Sequence, residues 1–102
     1  MRVFYIGTHE DDYHLRETAG QLHDLQSMVE GFIEPVYFPE FLEMDIILLA
    51  NEEGLLARLE VNENLWPYFL VGPVVALRND GENFAGLNDN QIDFLYQWFE
   101  NN

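Results

Sequence analysis

Three histidines lie near a run of acids, His9-Glu10-Asp11-Asp12 followed by His14 and His23. Imidazoles and carboxylates together are zinc ligands. On a helix, His14 and His23 stand nine positions, or about 900°, apart and so face opposite ways. Metal-binding helical histidines favour a spacing of four. Cysteine is absent, which excludes thiolate ligands and disulfides. No metal site is expected.

Two other segments have the residue types for chemistry. Asn79-Asp80-Gly81-Glu82-Asn83 has the outline of a calcium loop. It lacks alternating acids before the glycine and a terminal glutamate at the proper distance, so a turn is expected. Glu52 and Glu53 are adjacent carboxylates, whereas general acid–base work uses two carboxylates in different environments across a cleft. They are read as a solvated hairpin tip. No nucleophile elbow, phosphate loop or Ser/His/Asp pattern is present. The expectation is a non-enzyme without a cofactor.

The elements that must position these residues form one domain, 1–102, at this length. The chain is 48% hydrophobic and 15% aromatic, which supports a packed core rather than disorder. No apolar run approaches the ~18 residues of a membrane span. Residues 1–6 turn polar by Glu10 and lack the pattern of a signal peptide. A cytoplasmic protein is expected, with its oligomeric state left open.

Residues 2–7 read as a strand closed by Gly7. A first helix is then expected, capped by Asp11 or Asp12, with Leu15, Ala19, Leu22, Leu25 and Val29 as its apolar stripe and Gly31 as its stop. Phe32–Phe38 looks extended, and Pro35, which lacks a donor, places it at an edge or marks a bulge. Residues 39–44 connect to Asp45–Ala50, whose apolar run suits a central strand covered on both faces. Asn51-Glu52-Glu53-Gly54 is a turn, after which 55–60 is expected to return antiparallel. Residues 62–67 form a short turn or helical piece, and 69–77 another strand interrupted at Gly72-Pro73. Asn79-Asp80-Gly81 is a turn. A last helix starts near Asn88, with Gln91 completing a capping box. The predicted class is α+β: a mostly antiparallel sheet of four to five strands with two helices packed on one face.

The segments Leu25-Gln26-(two residues)-Val29-Glu30-Gly31-Phe32-Ile33-Glu34, Asp45–Gly54, Leu70–Val75 and Asn79–Glu82 resemble a family of small uncharacterised proteins. That family is a domain of unknown function found in phages, plasmids and other mobile elements of Gram-positive bacteria. The resemblance covers most of residues 22–99 and centres on the Asn-Glu-Glu-Gly turn. Family members often carry Lys after the turn glycine and a Gly-Leu-Pro segment beyond it; here Leu55 and Arg58-Leu59-Glu60 stand instead. The resemblance implies a mobile-element origin and a cytoplasmic setting, and supplies no catalytic residues.

Charge is the feature that bears on function. Nineteen Asp and Glu face four Arg and no Lys, for a formal net charge of -15. Direct binding to nucleic acid or an anionic membrane is thereby disfavoured, since both need clustered cations. Salt adaptation usually lowers bulky apolar content, which eight Phe, five Tyr and two Trp contradict. Residues 10–63 hold 14 of the acids against Arg16 and Arg58. Net charges of ~2–8 already keep a small domain soluble. The leading expectation is therefore an acidic inhibitor that mimics nucleic acid. It would occupy the basic groove of a nucleic-acid-binding host protein, such as a CRISPR effector or restriction nuclease. The expected contacts are Glu10, Asp11, Asp12, Glu17, Asp24, Glu40, Glu43, Glu52 and Glu53, with Trp66 as a partly exposed aromatic. The alternative is a small interaction or ligand-binding module, working through an apolar patch near Trp66, whose acidity serves solubility.

Overall fold

The apolar run at residues 46–50 becomes a strand with no exposed position, and that fact organises the whole chain. The structure, a computed structural model, describes residues 1–101. Six strands form one antiparallel sheet: β1 (Arg2–Ile6), β2 (Tyr13–Glu17), β3 (Ile33–Val36), β4 (Ile46–Asn51), β5 (Val74–Asp80) and β6 (Asn83–Ala85). Their order is β2-β1-β5-β4-β3, with β6 hairpinned onto β5. Three helices accompany them: α1 (Leu22–Val29), α2 (Pro39–Leu42) and α3 (Asp89–Glu100). The predicted α+β class and antiparallel sheet hold, with β2 and β6 raising the strand count to six. Among the described residues no helix is long and apolar enough to cross a membrane.

Successive side chains of a strand point to opposite faces. Residues Ile46–Ala50 of β4 and the Val74–Leu77 half of β5 are apolar at every position and buried, and Asn51 at the end of β4 is a buried polar residue. Such a sheet has two apolar faces, and both need cover. Ile46, Leu48, Val74 and Ala76 pack with Phe4, Ile6, Phe41 of α2, and Ile92, Leu95 and Phe99 of α3. Ile47, Leu49, Val75 and Leu77 pack with Val3 and with Leu25 and Val29 of α1. The helices thus divide between the two faces, where a single helical layer is expected from element order alone.

The first helix is shorter than its stripe suggests. Residues 13–17 pair with β1, in the register Arg2↔Glu17 to Ile6↔Tyr13. Tyr13 and Leu15 point into the α3-side core with a period of two. Gly20, at φ +77°, then breaks the chain before Leu22. The Gln21–Asp24 capping box starts α1, and Glu30 ends it in the left-handed region at φ 65°. Glu17 and Asp24 therefore do not share a helix face, and His14 and His23 sit on a strand and a helix.

The expected return strand at 55–60 is absent. The chain instead coils back on itself: Ala57 N–H donates to Glu53 O at 2.8 Å and Leu59 N–H to Gly54 O at 3.0 Å. β4 takes β5 as its antiparallel neighbour after a long excursion through residues 52–73. Within it lie a 3₁₀ turn, Glu63–Leu65, and an isolated bridge between Val61 and Val71. The strand expected at 69–77 is observed from Val74 to Asp80, so Asn79 and Asp80 pair within the sheet, and residues 39–42 of the expected connection form α2. Other expectations hold locally. β3 is an edge strand, with Pro35 opposite Leu49. Gly81 turns the β5–β6 hairpin at φ +66° in open space. Asn88 and Gln91 cap α3 reciprocally, both bonds at 2.9 Å.

Candidate functional site

The strand register sets which acids meet. Ile6 pairs with Val74 and Asn51 with Ile33, so the end of β1, the start of β5 and the end of β4 lie at one end of the sheet. The β1–β2 turn and the 52–73 excursion emerge there together. Two buried or half-buried asparagines fasten them. Asn62, fully buried, donates to Ile6 O at 3.1 Å and Gly72 O at 3.0 Å. Asn64 donates to Gly7 O at 2.9 Å and His9 O at 2.7 Å, and accepts from Asp11 N–H at 3.0 Å. Asp11 is thereby held in the left-handed region at φ 66°, a conformation that short polar side chains tolerate. Glu63 adds its own bonds, donating N–H to Thr8 O at 3.0 Å and accepting from Glu10 N–H at 3.3 Å.

A cleft of about 530 Å³ opens between the turn and the excursion. Glu10, Asp11 and Glu63 are its carboxylates, and Val61, Trp66 and Phe99 its apolar wall. The Trp66 ring is 59% exposed and stands edge-on to Phe69, itself 76% exposed, with ring centres 5.0 Å apart. On the other side of the turn, a second concavity of about 400 Å³ is lined by Tyr5, Asp12, Glu30, Arg58 and Glu60. Burial and the negative field of Asp12 raise the Tyr5 hydroxyl above its ordinary pKa. Tyr13 is raised in the same way, by burial and then by Glu100 and Asp11.

Of the sequence-predicted residues, the structure brings Glu10, Asp11 and Trp66 into one cleft and places Asp12 in the adjoining concavity. Glu52 and Glu53 follow β4 at the same end of the sheet. The others are dispersed. Glu17 lies 3.7 Å from the N-terminal ammonium, at the opposite end of β2. Asp24 accepts from Gln21 N–H at 3.2 Å and lies 3.3 Å from His23. Glu40 accepts the Tyr68 hydroxyl, and that bond, together with burial, raises the Tyr68 pKa. Glu43 caps the C-terminus of α2. Sequence reasoning overlooked Glu63, Asn62 and Asn64. The available signal was Asn62, whose side-chain oxygen caps the turn by accepting Asn64 N–H two residues on at 3.1 Å; the bonds of Asn64 reach the distant β1–β2 turn and left no local signal.

The cations are mostly spoken for. Arg2 bonds Asp89 at 2.8 Å, Arg78 donates to Gly86 O at 2.9 Å, and Arg16 lies 4.1 Å over the Tyr5 ring. Arg58 is exposed on the excursion. Among the described residues no three His, Asp or Glu side chains converge as a metal set would.

A family profile, Domain of unknown function (DUF3846), matches residues 1–100. The chain belongs to this family. No curated protein and no solved structure matches it. Within this DUF3846 chain the match spans every strand and helix described above, so the cleft and its asparagine clamp lie inside the family domain.

Proposed function

We propose that this chain is a non-catalytic inhibitor that mimics nucleic acid. Its partner is a basic nucleic-acid-binding protein of the bacterial host, of the kind represented by CRISPR effectors and restriction nucleases, and it acts in the host cytoplasm on behalf of a phage or other mobile element. The observation that carries this reading is the exposure of its charge. Eighteen of the nineteen Asp and Glu side chains are exposed, and Asp24 alone is half-buried. Surface carboxylates normally alternate with cations, and here nearly none do.

The size of the effect supports mimicry over solubility. The molecule measures 33 × 31 × 23 Å, so fifteen net charges along its longest axis amount to one per about 2.2 Å; duplex DNA carries one per ~1.7 Å. Self-repulsion of that order opposes folding, and a function that needs the field accounts for its retention. Affinity capture from bacterial lysate on the immobilised chain, at low and high salt, tests the reading. Basic nucleic-acid-binding proteins should be retained at low salt and released by high salt. Retention that ignores salt overturns it.

One observation favours a second reading, a module that docks through apolar contacts. Five large apolar side chains of the 52–73 excursion are exposed: Leu55 (80%), Leu56 (83%), Val61, Trp66 and Phe69. On this reading Trp66→Ala harms partner binding more than charge reversal does.

A further inference from the structure

The acid-rimmed cleft beside Trp66 sets carboxylates against an exposed indole, with no cation among the described residues of its lining. In the second concavity, by contrast, Asp12, Glu30 and Glu60 share the lining with Arg58. In the cleft itself Glu10, Asp11 and Glu63 stand over Val61, Trp66 and Phe99, in a depression of about 530 Å³. That volume falls within the ~300–1,000 Å³ of ordinary ligand sites. An apolar wall with an anionic rim matches a long side chain that has an aliphatic stem and a cationic head.

We infer that this cleft receives an arginine side chain presented by the basic partner. The inference rests on the reading above that the partner is basic. Three considerations select the occupant. First, the net charge of -15 opposes docking of a second copy of this chain or of nucleic acid. Second, the cleft combines an exposed indole with carboxylates. A guanidinium stacks on an indole face while its N–H fork bonds carboxylates two at a time. An ammonium satisfies the charge but not the plane. Third, the site is organised before anything binds. Asn64 holds the turn through three hydrogen bonds, and Glu63 is fastened to it through both its backbone N–H and its carboxylate. A preformed site loses little further freedom on binding, which favours affinity.

The test is a calorimetric titration of the full chain with a synthetic peptide of alternating arginine and glycine. Matching lysine and citrulline peptides serve as comparators. The arginine peptide should bind more tightly than the lysine peptide, and the citrulline peptide should bind neither well nor salt-dependently. Trp66→Ala should weaken arginine-peptide binding about tenfold, as loss of a desolvated cation–π contact implies. The paired variant Glu10→Gln/Glu63→Gln should weaken it by a similar factor. The paired variant Asp80→Asn/Glu82→Gln removes the same charge from the β5–β6 hairpin and should stay within about twofold of wild type. Circular dichroism on each variant confirms that it is folded. Equal weakening by both paired variants overturns the cleft while leaving the charge-based reading in place. Equal binding of the lysine peptide overturns the choice of arginine. Citrulline binding as tight as arginine binding overturns both readings. If no peptide binds, the cleft inference fails, and salt-sensitive capture from lysate still decides the broader reading.

Discussion

The side-chain amide of Asn64 donates to the backbone carbonyl of His9 at 2.7 Å, joining positions 55 apart in sequence. Together with its bonds to Gly7 and Asp11, this contact makes the β1–β2 turn and the long excursion one rigid unit. Glu10, Asp11 and Trp66 share a cleft because of it. Asn62, beneath, anchors the same unit to the ends of β1 and the excursion.

Removing the clamp should cost stability in proportion to burial. Asn62→Ala leaves the carbonyls of Ile6 and Gly72 without their donor in a fully buried place. Each buried group left unsatisfied costs ~1–3 kcal/mol, so a loss of about 2–6 kcal/mol is expected from urea unfolding. Asn64→Ala, closer to solvent, should cost about 1–2 kcal/mol. It should also accelerate hydrogen exchange at the Asp11 amide, which Asn64 protects. A neutral Asn62→Ala contradicts the clamp.

Salt should stabilise the fold. The described residues make few ion pairs: Arg2 with Asp89 and the N-terminal ammonium with Glu17, while His9 and His23 stand near Glu60 and Asp24. Screening has little attraction to weaken and much repulsion to relieve. The urea midpoint should therefore rise from about 0.01 M to about 1 M sodium chloride, as the Debye length falls from ~30 to ~3 Å. A falling midpoint would mean that attraction dominates the surface.

Alkaline pH should erase the contribution of Tyr68. Its hydrogen bond to Glu40 and its burial raise its folded pKa above 10.0, the value expected when unfolded. The folded state thus keeps a proton that the unfolded chain releases. That stabilisation is fully present below pH 10.0 and is lost as pH rises through the raised folded value. Wild type should exceed Tyr68→Phe in stability at neutral pH, and the gap should close above pH 10.0. A gap that widens with pH would give the shift the wrong sign.

The parts of the fold readable from sequence are those set by neighbours along the chain. The 46–50 apolar run, the Asn88/Gln91 cap, the Asn-Asp-Gly turn and the edge position of Pro35 each depend on residues a few positions apart. The β2 region misleads because Leu15, Ala19, Leu22, Leu25 and Val29 satisfy a helical period, while five residues of strand alternation sit inside the same stretch. Gly20, held at φ +77°, is the residue that separates them. The 55–60 segment misleads because tertiary pairing gave the edge of β4 to Val74–Asp80 instead. The two-sided helical cover was implicit in β4 itself, since a strand buried on both faces needs something on each. At the site, Glu10, Asp11 and Trp66 stand out singly as acids and an aromatic. Their convergence rests on hydrogen bonds spanning more than fifty positions, which no local spacing encodes.

The central claim is that the negative surface competes with nucleic acid for a basic groove. The most direct measurement takes the protein retained from lysate at low salt, loads it with fluorescent duplex DNA and titrates it with this chain. The wild-type chain should displace the DNA, less effectively as salt rises, and a folded Glu10→Arg/Asp11→Arg/Glu63→Arg variant should not. A folded variant that displaces DNA as well as wild type does, or a partner that holds the chain and the DNA together, contradicts the account.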